Sequence, residues 1–428
     1  MAAAAGARSR RRRAVLFQWL HPTVRVCCGH SDRVMENRRW KGRGKGEEVG
    51  LRKERGERGE IKGKGELLEM NFCVHGAGGF IGSWIVKLLL ARGYAVRGTS
   101  RAAADDPRNA HLWALDGAAE RLAMARVDLL DRAGLRAAFD GCDGVIHTAA
   151  PLVGDPAEIL DAVIAGTRNV VEAAADAGVR RLVLSSTISA NRHVWLGLTG
   201  AQTKHAHMDP RRDPDAPLDE SSWSDLDYCM KTKNWYSYAK TVAEKSAWEA
   251  ARARGLDMAV VVPVIAFGEL LQLGLNVSTT HITKYLNGEV ATYANASHAY
   301  VHVGDAAEAH VRVLEVPSAG GRRFVCGESS LHRGELCRAL AELFPEYPIP
   351  TRCKDGVNPP KKGCRFTNQP LKDLGMKFTP LREYLYEAVR SLEEKGFIQK
   401  TTHTKAADKR IFPTPTENLP APIWAAKL

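Results

Sequence analysis

The 428-residue chain contains no stretch of eighteen apolar residues, so nothing in it reads as a membrane-spanning helix, and no membrane partner is expected. Its nine cysteines are odd in number, scattered and never spaced as C-x-x-C. That pattern argues against a disulfide framework or a metal site and fits a reducing compartment. No internal repeat is visible. Net basic charge is also scarce over most of the chain. Of the formal +12, residues 1–70 supply nine, with 18 Lys and Arg against 9 Asp and Glu, which leaves residues 71–428 nearly neutral. A nucleic-acid partner is therefore not expected.

What the first 69 residues have instead is Arg10-Arg11-Arg12-Arg13 and a Lys/Arg/Gly/Glu-rich run to Lys64, without sustained apolar periodicity. Disorder is expected there. Three readings compete: an organelle transit peptide over residues 1–31, a basic arm for nucleic acid, or an extension outside the working protein, whose folded part starts near Met70; the last is preferred. Residues 399–428, with Pro413, Pro415, Pro420 and Pro422, read as a flexible tail. The expected location is cytoplasmic, or an organelle if residues 1–31 act as a leader.

Between these ends apolar strands alternate with helical patterns, which predicts an α/β fold: a Rossmann-type doubly wound parallel sheet with right-handed crossovers. Strands are expected near 71–75, 94–99, 123–127, 144–148, 181–186 and 258–262, and helices near 80–92, 132–140, 157–177 and 235–254. Beyond about residue 265 the alternation fades, and 273–287 and 333–343 look helical. The division expected is a nucleotide-binding domain over 70–265 and a smaller substrate-binding region over 266–398.

The first strand runs into Gly76-Ala77-Gly78-Gly79-Phe80-Ile81-Gly82, followed by apolar Ile85, Val86, Leu88, Leu89 and Leu90. Gly76, Gly79 and Gly82 fit a tight turn, close approach of backbone to a pyrophosphate, and close packing of helix on strand. The helix start then offers unpaired N–H groups to phosphates. About twenty residues further on, a site for the unphosphorylated dinucleotide carries an acid for the ribose hydroxyls, yet none occurs before Asp105. Thr99, Ser100 and Arg101 suit a phosphate instead, so the cofactor expected is NADP(H).

The chemistry is concentrated in Asn234-Trp235-Tyr236-Ser237-Tyr238-Ala239-Lys240. Tyr236 and Lys240 stand one helical turn apart and share a face. A free phenol has a pKa of about 10, and an ammonium nearby is expected to favour the phenolate, which makes Tyr236 a candidate acid for a carbonyl oxygen gaining charge.

With a glycine fingerprint, an NADP-type strand end and Tyr-x-x-x-Lys in this order, the chain resembles an extended short-chain dehydrogenase/reductase. The 234–240 stretch is similar to the Asn-Trp-Tyr-Cys-Tyr-Gly-Lys signature of plant cinnamoyl-CoA reductases, and Gly76–Trp84, Lys87–Gly93, Asp219–Leu226, Lys284–Gly288, Tyr293–Ala296 and Leu343–Pro348 look like the same family. The resemblance spans about residues 71–397, with dihydroflavonol reductases as more distant relatives.

It implies reduction of a phenylpropenoyl-CoA thioester to its aldehyde by NADPH, in phenylpropanoid and lignin-type metabolism. Tyr236 would stabilise or protonate the oxygen, and Lys240 would hold the nicotinamide ribose and lower the tyrosine pKa. Thr187 would take the place of the family's serine, with Ser186 the nearby alternative. By the same carry-over Gly76 through Gly82, Arg101 and Arg108 would meet the cofactor phosphates. Asp128 and Leu129 would meet the adenine, Thr148, Ala149 and Ala150 the ribose side, Pro263, Val264, Ile265 and Ala266 the nicotinamide, and Ser278 a further phosphate or ribose group. His281, Lys284 and Arg333 would form a basic mouth suited to CoA phosphates.

The sequence departs from the family's pattern at His75 (threonine), Ala150 (serine), Ala165 and Val262 (asparagine), Glu269 (proline) and Ala239 (glycine). Ser237 replaces a cysteine that would pair with Cys229, so that bridge cannot form. Two alternatives follow: a reductase of a non-CoA aromatic ketone or aldehyde, or a nucleotide-binding protein weakened in turnover. The sequence leaves the oligomeric state open.

Overall fold

The computed structural model describes residues 70–150, 156–188, 216–355 and 365–400. The readings made above for residues 1–69, and for all but the first two residues of the 399–428 tail, lie outside them. The described chain runs β1 (Asn71–His75), α1 (Phe80–Ala91), β2 (Ala95–Ser100), α2 (Ala110–Trp113), α3 (Ala118–Arg121), β3 (Leu122–Arg126), α4 (Arg132–Phe139), β4 (Gly144–His147), α5 (Pro156–Asp176) and β5 (Arg181–Ser185). It continues through α6 (Leu226–Lys231), α7 (Trp235–Arg254), β6 (Asp257–Pro263), β7 (Ile265–Phe267), α8 (Thr280–Leu286), β8 (Ser297–His302) and α9 (Val303–Glu315). Then come β9 (Arg323–Cys326), β10 (Ser329–His332), α10 (Arg333–Leu343), α11 (Gln369–Asp373) and α12 (Leu381–Glu394).

Seven strands form one parallel sheet in the order β3-β2-β1-β4-β5-β6-β9. Both faces are covered, which is why the strands read as unbroken apolar runs. Phe72, Val74, Ile146, Val183, Ala259 and Val261 face α1 and α9, whereas Cys73, Val145, Leu182, Leu184, Val260 and Val262 face α4, α5 and α7. The order reverses between β1 and β4, and it is in the crevice outside the carboxyl ends of the strands at such a point that open α/β sheets bind ligands.

The six expected strands and four expected helices are present within a residue or two. The boundary expected at 265 is not where the central sheet ends. β9 returns to pair with β6, Val260 opposite Arg323 through Pro263 opposite Cys326. Interleaved with it, β7, β8 and β10 form a separate small sheet, order β10-β8-β7. Of the helix expected over 273–287 only 280–286 is helical, because Asn276 accepts from the Thr279 N–H and turns the chain before the helix begins.

Candidate active site

Gly76 follows β1 at φ +92°, and a side chain there would lie 2.7 Å from the Ala149 nitrogen. Its N–H and that of Ala77 both donate to the Thr99 carbonyl, which folds the turn back on β2. Gly82, one turn into α1, has no room at all: a Cβ would sit 2.1 Å from the Gly76 carbonyl oxygen. Thr148 clamps the same turn from β4, its hydroxyl donating to the carbonyls of His75 (3.2 Å) and Gly76 (3.3 Å). α1 starts at Gly79 with no side-chain cap and no acid in its first turn, so its free N–H groups and positive dipole end suit an anion. Arg101 is exposed beside it at the end of β2. This cradle of glycines, uncapped helix start and cation fits the pyrophosphate and extra phosphate of NADP(H).

The other expected cofactor residues each have local contacts of their own. Arg108 is paired with Asp106 at 2.8 Å, so it is not an unengaged second cation. Asp128 accepts from the Leu130 N–H to form the turn after β3, and the Leu129 side chain fills the space over Gly166 of α5. Pro263, Val264, Ile265 and Ala266 are buried at the end of β6 and the start of β7. Ser278 is half-buried just before α8, its carbonyl accepting from the His281 N–H. His75, the departure at the end of β1, stacks on His147 at 5.1 Å and shares a 2.6 Å hydrogen bond with Thr99 Oγ1. Burial lowers its pKa to about 4, so it is neutral and adds no charge beneath the cofactor turn.

α7 carries the candidate catalytic pair. It starts cleanly because Asn234 accepts from the Ser237 N–H after Lys233 takes a left-handed φ of 55°, and it stops at Gly255, φ +62°. Ala239 and Ala243 pack on Val163 of α5, small enough to bring the two helices close. Tyr236 and Lys240 therefore face the end of β5. Tyr236 hydrogen-bonds with the Thr187 hydroxyl, and Lys240 Nζ donates to the Ser185 carbonyl at 3.4 Å. Ser186, the alternative for the hydroxyl role, turns away and donates to Glu244 Oε2 at 2.5 Å.

The electrostatics correct one expectation. Burial pushes the Tyr236 phenol up to about 12, the Thr187 bond opposes that shift, and Lys240 has no part in it. Its ammonium is engaged by the strand end instead, and burial lowers its own pKa to about 8 against a smaller opposing pull from Glu244. Tyr236 is held as a neutral phenol, not as a phenolate.

On the substrate side His281, Lys284 and Arg333 do gather, but as a partly buried network. Arg333 donates to Tyr285 Oη at 3.3 Å and to His298 Nε2 at 3.1 Å, and His281 Nε2 meets the Tyr300 hydroxyl at 3.4 Å. Burial and the Arg333 charge hold His281 well below its usual pKa, so it is neutral, and the mouth carries two cations where three were expected. Burial likewise lowers Lys284, which lies 5.3 Å over the Tyr285 ring.

Comparison with known proteins gives the family. Residues 72–327 match the NAD dependent epimerase/dehydratase family. Cinnamoyl-CoA reductase 1 of Petunia hybrida is 50% identical over 341 residues, 80% of this chain and 97% of that protein. The protein of that name from Oryza sativa subsp. japonica is 52% identical over 326 residues, 76% and 91%. The chain belongs to the cinnamoyl-CoA reductase family. It is an NADP-dependent oxidoreductase. The crystal structure of vestitone reductase from alfalfa (Medicago sativa L.) superposes on it with a TM-score of 0.64 at 27% identity, covering 77% of this chain and 99% of that one.

Within this cinnamoyl-CoA reductase relative, sequence reasoning missed Glu244 and Arg323. The signal was present for Glu244, which continues the Tyr236, Lys240 spacing by four. A buried carboxylate is exceptional enough to demand partners, and one of them lies 79 residues away on β9.

Proposed function

We propose that this chain reduces hydroxycinnamoyl-CoA thioesters to the corresponding aldehydes with NADPH, in phenylpropanoid metabolism. The observation that carries the reading is the Thr187, Tyr236 and Lys240 constellation at the end of β5, together with the glycine turn after β1, in a chain half identical to reductases of that name over nearly their whole length. Gly76 through Gly82, Thr148 and Arg101 would hold the cofactor, and NADPH when bound supplies the hydride. Thr187 positions the substrate carbonyl oxygen and Tyr236 donates its proton to it as charge develops there. Lys240, fixed by the Ser185 carbonyl, would hold the ribose hydroxyls. Collapse of the resulting hemithioacetal re-forms the carbonyl as its hydroxyl gives up a proton and breaks the carbon–sulfur bond, so that CoA leaves as thiolate and takes up a proton. Lys284 and Arg333 would steer the anionic CoA end.

The proposed organisation is a cofactor-holding part that reaches to β9 and a substrate-covering part built from the small sheet with α8, α10 and α12. No helix among the described residues is long and apolar enough to cross a membrane, and a cytoplasmic site of action is proposed. The test is NADPH oxidation with feruloyl-CoA, dihydroquercetin and cinnamaldehyde offered separately. Turnover of the thioester above the other two supports the reading. Preference for dihydroquercetin or cinnamaldehyde replaces it with a non-CoA carbonyl reductase. A flat trace in all three with NADPH still binding marks a protein without turnover.

A further inference from the structure

Glu244 is 1% exposed, one turn beyond Lys240 on α7. Tyr236, Lys240 and Glu244 thus form one stripe at i, i+4 and i+8. Both carboxylate oxygens are engaged. Oε2 accepts from Ser186 Oγ (2.5 Å) and Arg323 Nη2 (3.3 Å), and Oε1 accepts from Arg323 Nε (2.6 Å) and Trp248 Nε1 (3.4 Å). Arg323, itself buried on β9, lies 3.8 Å over the Trp223 ring and donates to the carbonyls of Glu220 (2.6 Å) and Ser222 (3.0 Å).

The significance lies in what flanks Ser186. Its predecessor Ser185 offers the carbonyl that receives Lys240, and its successor Thr187 offers the hydroxyl that meets Tyr236. The Ser186 N–H donates to the Val261 carbonyl of β6 at 2.8 Å. With backbone tied to β6 and hydroxyl tied to α7, the peptide on each side of Ser186 is fixed against the helix that carries the acid. We propose that Glu244 is a positioning residue of the reaction: through Ser186 it sets the end of β5, and so the placement of Thr187, relative to Tyr236 on its own helix. Arg323 satisfies the buried charge and extends the same register to the 220–223 segment. A buried ion pair is weak evidence of stabilisation, because desolvation offsets its attraction; geometric registry is the role better suited to it.

The inference rests on the reductase reading, and its test separates the two. Glu244→Gln leaves Arg323 buried without a counter-charge and can fail to fold, so Ser186→Ala is the informative variant: it cuts only the link from Glu244 to β5. A misplacement near 1 Å costs up to about a hundredfold in rate. For Ser186→Ala we expect kcat to fall about tenfold or more, with KM for the thioester and NADPH affinity close to wild type and Tm lowered only by the few degrees that one lost buried hydrogen bond costs, and Ser186→Thr to restore most of the loss. A kcat within twofold of wild type, or a loss matched by equal losses in Tm and NADPH binding, overturns the proposal. A crystal structure of the same variant decides independently of turnover. Loss of the Thr187–Tyr236 hydrogen bond supports the proposal, and its retention overturns it even if wild type reduces none of the three carbonyls, a result that would sink only the reductase reading.

Discussion

Gly82→Ala places a methyl group 2.1 Å from the Gly76 carbonyl oxygen, 3.0 Å from its carbon and 3.1 Å from Thr148 Oγ1. None of these can swing aside. The Gly76 carbonyl accepts from both the Gly79 N–H and the Thr148 hydroxyl, and Gly76 is held to Thr99. To reach an ordinary contact the start of α1 must retreat from the turn by roughly 1 Å, an overpacking strain of about 1–3 kcal/mol. For a domain of this size that lowers Tm by roughly 2–10 °C. The same retreat withdraws the N–H groups of the first turn from the phosphates, and losing one or two charge-assisted hydrogen bonds weakens NADPH binding by about ten- to a hundredfold. Gly141→Ala is the control. Gly141 has φ +70° with open space around it, at the opposite end of β4, so alanine there costs about 1–2 kcal/mol of backbone strain without touching the crevice. Differential scanning fluorimetry and NADPH fluorescence titration read both effects. Gly82→Ala binding NADPH as tightly as Gly141→Ala would refute the reasoning.

Tyr236→Phe is expected to leave NADPH affinity nearly intact and to lower kcat by about a hundredfold or more, since it removes the proton donor and its bond to Thr187; retention of most of the rate would remove Tyr236 from the chemistry. Arg101→Ala should weaken NADPH by about tenfold and leave NADH nearly unchanged, measured by parallel titrations, and equal losses would contradict the phosphate assignment. His302, held between Asp305 and Glu387, has its pKa raised to about 9 by these carboxylates. The folded state therefore keeps a proton that the unfolded chain releases near 6.5: the contribution, on the order of 3 kcal/mol, is complete below that pH and lost as pH rises through about 9. Lys240 works in the opposite sense between about 8 and 10.5, so the informative curve is wild type minus His302→Gln in urea unfolding. A difference flat from pH 6 to 9.5 would exclude the His302 contribution.

The central sheet was legible because strands buried on both faces, such as Ala259–Val262, leave uninterrupted apolar runs, and because glycines at 76, 79 and 82 mark the turn that follows the first of them. The small sheet was not. β7 is three residues long, β8 carries His298, Tyr300 and His302, and β10 is the half-buried polar run Ser329–His332, none of which shows a clean alternation. β9 and α9 escaped for another reason: they complete the central layers from a stretch that follows an apparent end of the pattern, and only the long-range pairing of β9 with β6 reveals it. Tyr236, Lys240 and Thr187 were readable as residues. The charge state of the phenol was not, because burial is a property of the packed neighbours and outweighs what four-residue spacing suggests.

That reversal bears on the direction of the chemistry. A phenolate beside the substrate would suit removal of a proton from an alcohol, whereas a phenol held near 12 keeps its proton until a stronger base forms next to it. The oxygen of a thioester carbonyl becomes such a base only as hydride reaches the carbon, so in the proposed mechanism proton delivery would be coupled to reduction. Lys240 need not tune the phenol to serve this end. Tied to the Ser185 carbonyl and titrating near 8, it keeps its charge at neutral pH, helped by Glu244 one turn away. Loss of that charge should set the alkaline limit of reduction at a lower pH than the phenol's own ionisation. In the proposed mechanism the two members of the Tyr-x-x-x-Lys pair thus divide the work, one holding a proton and the other holding position, with the end of β5 as their common anchor.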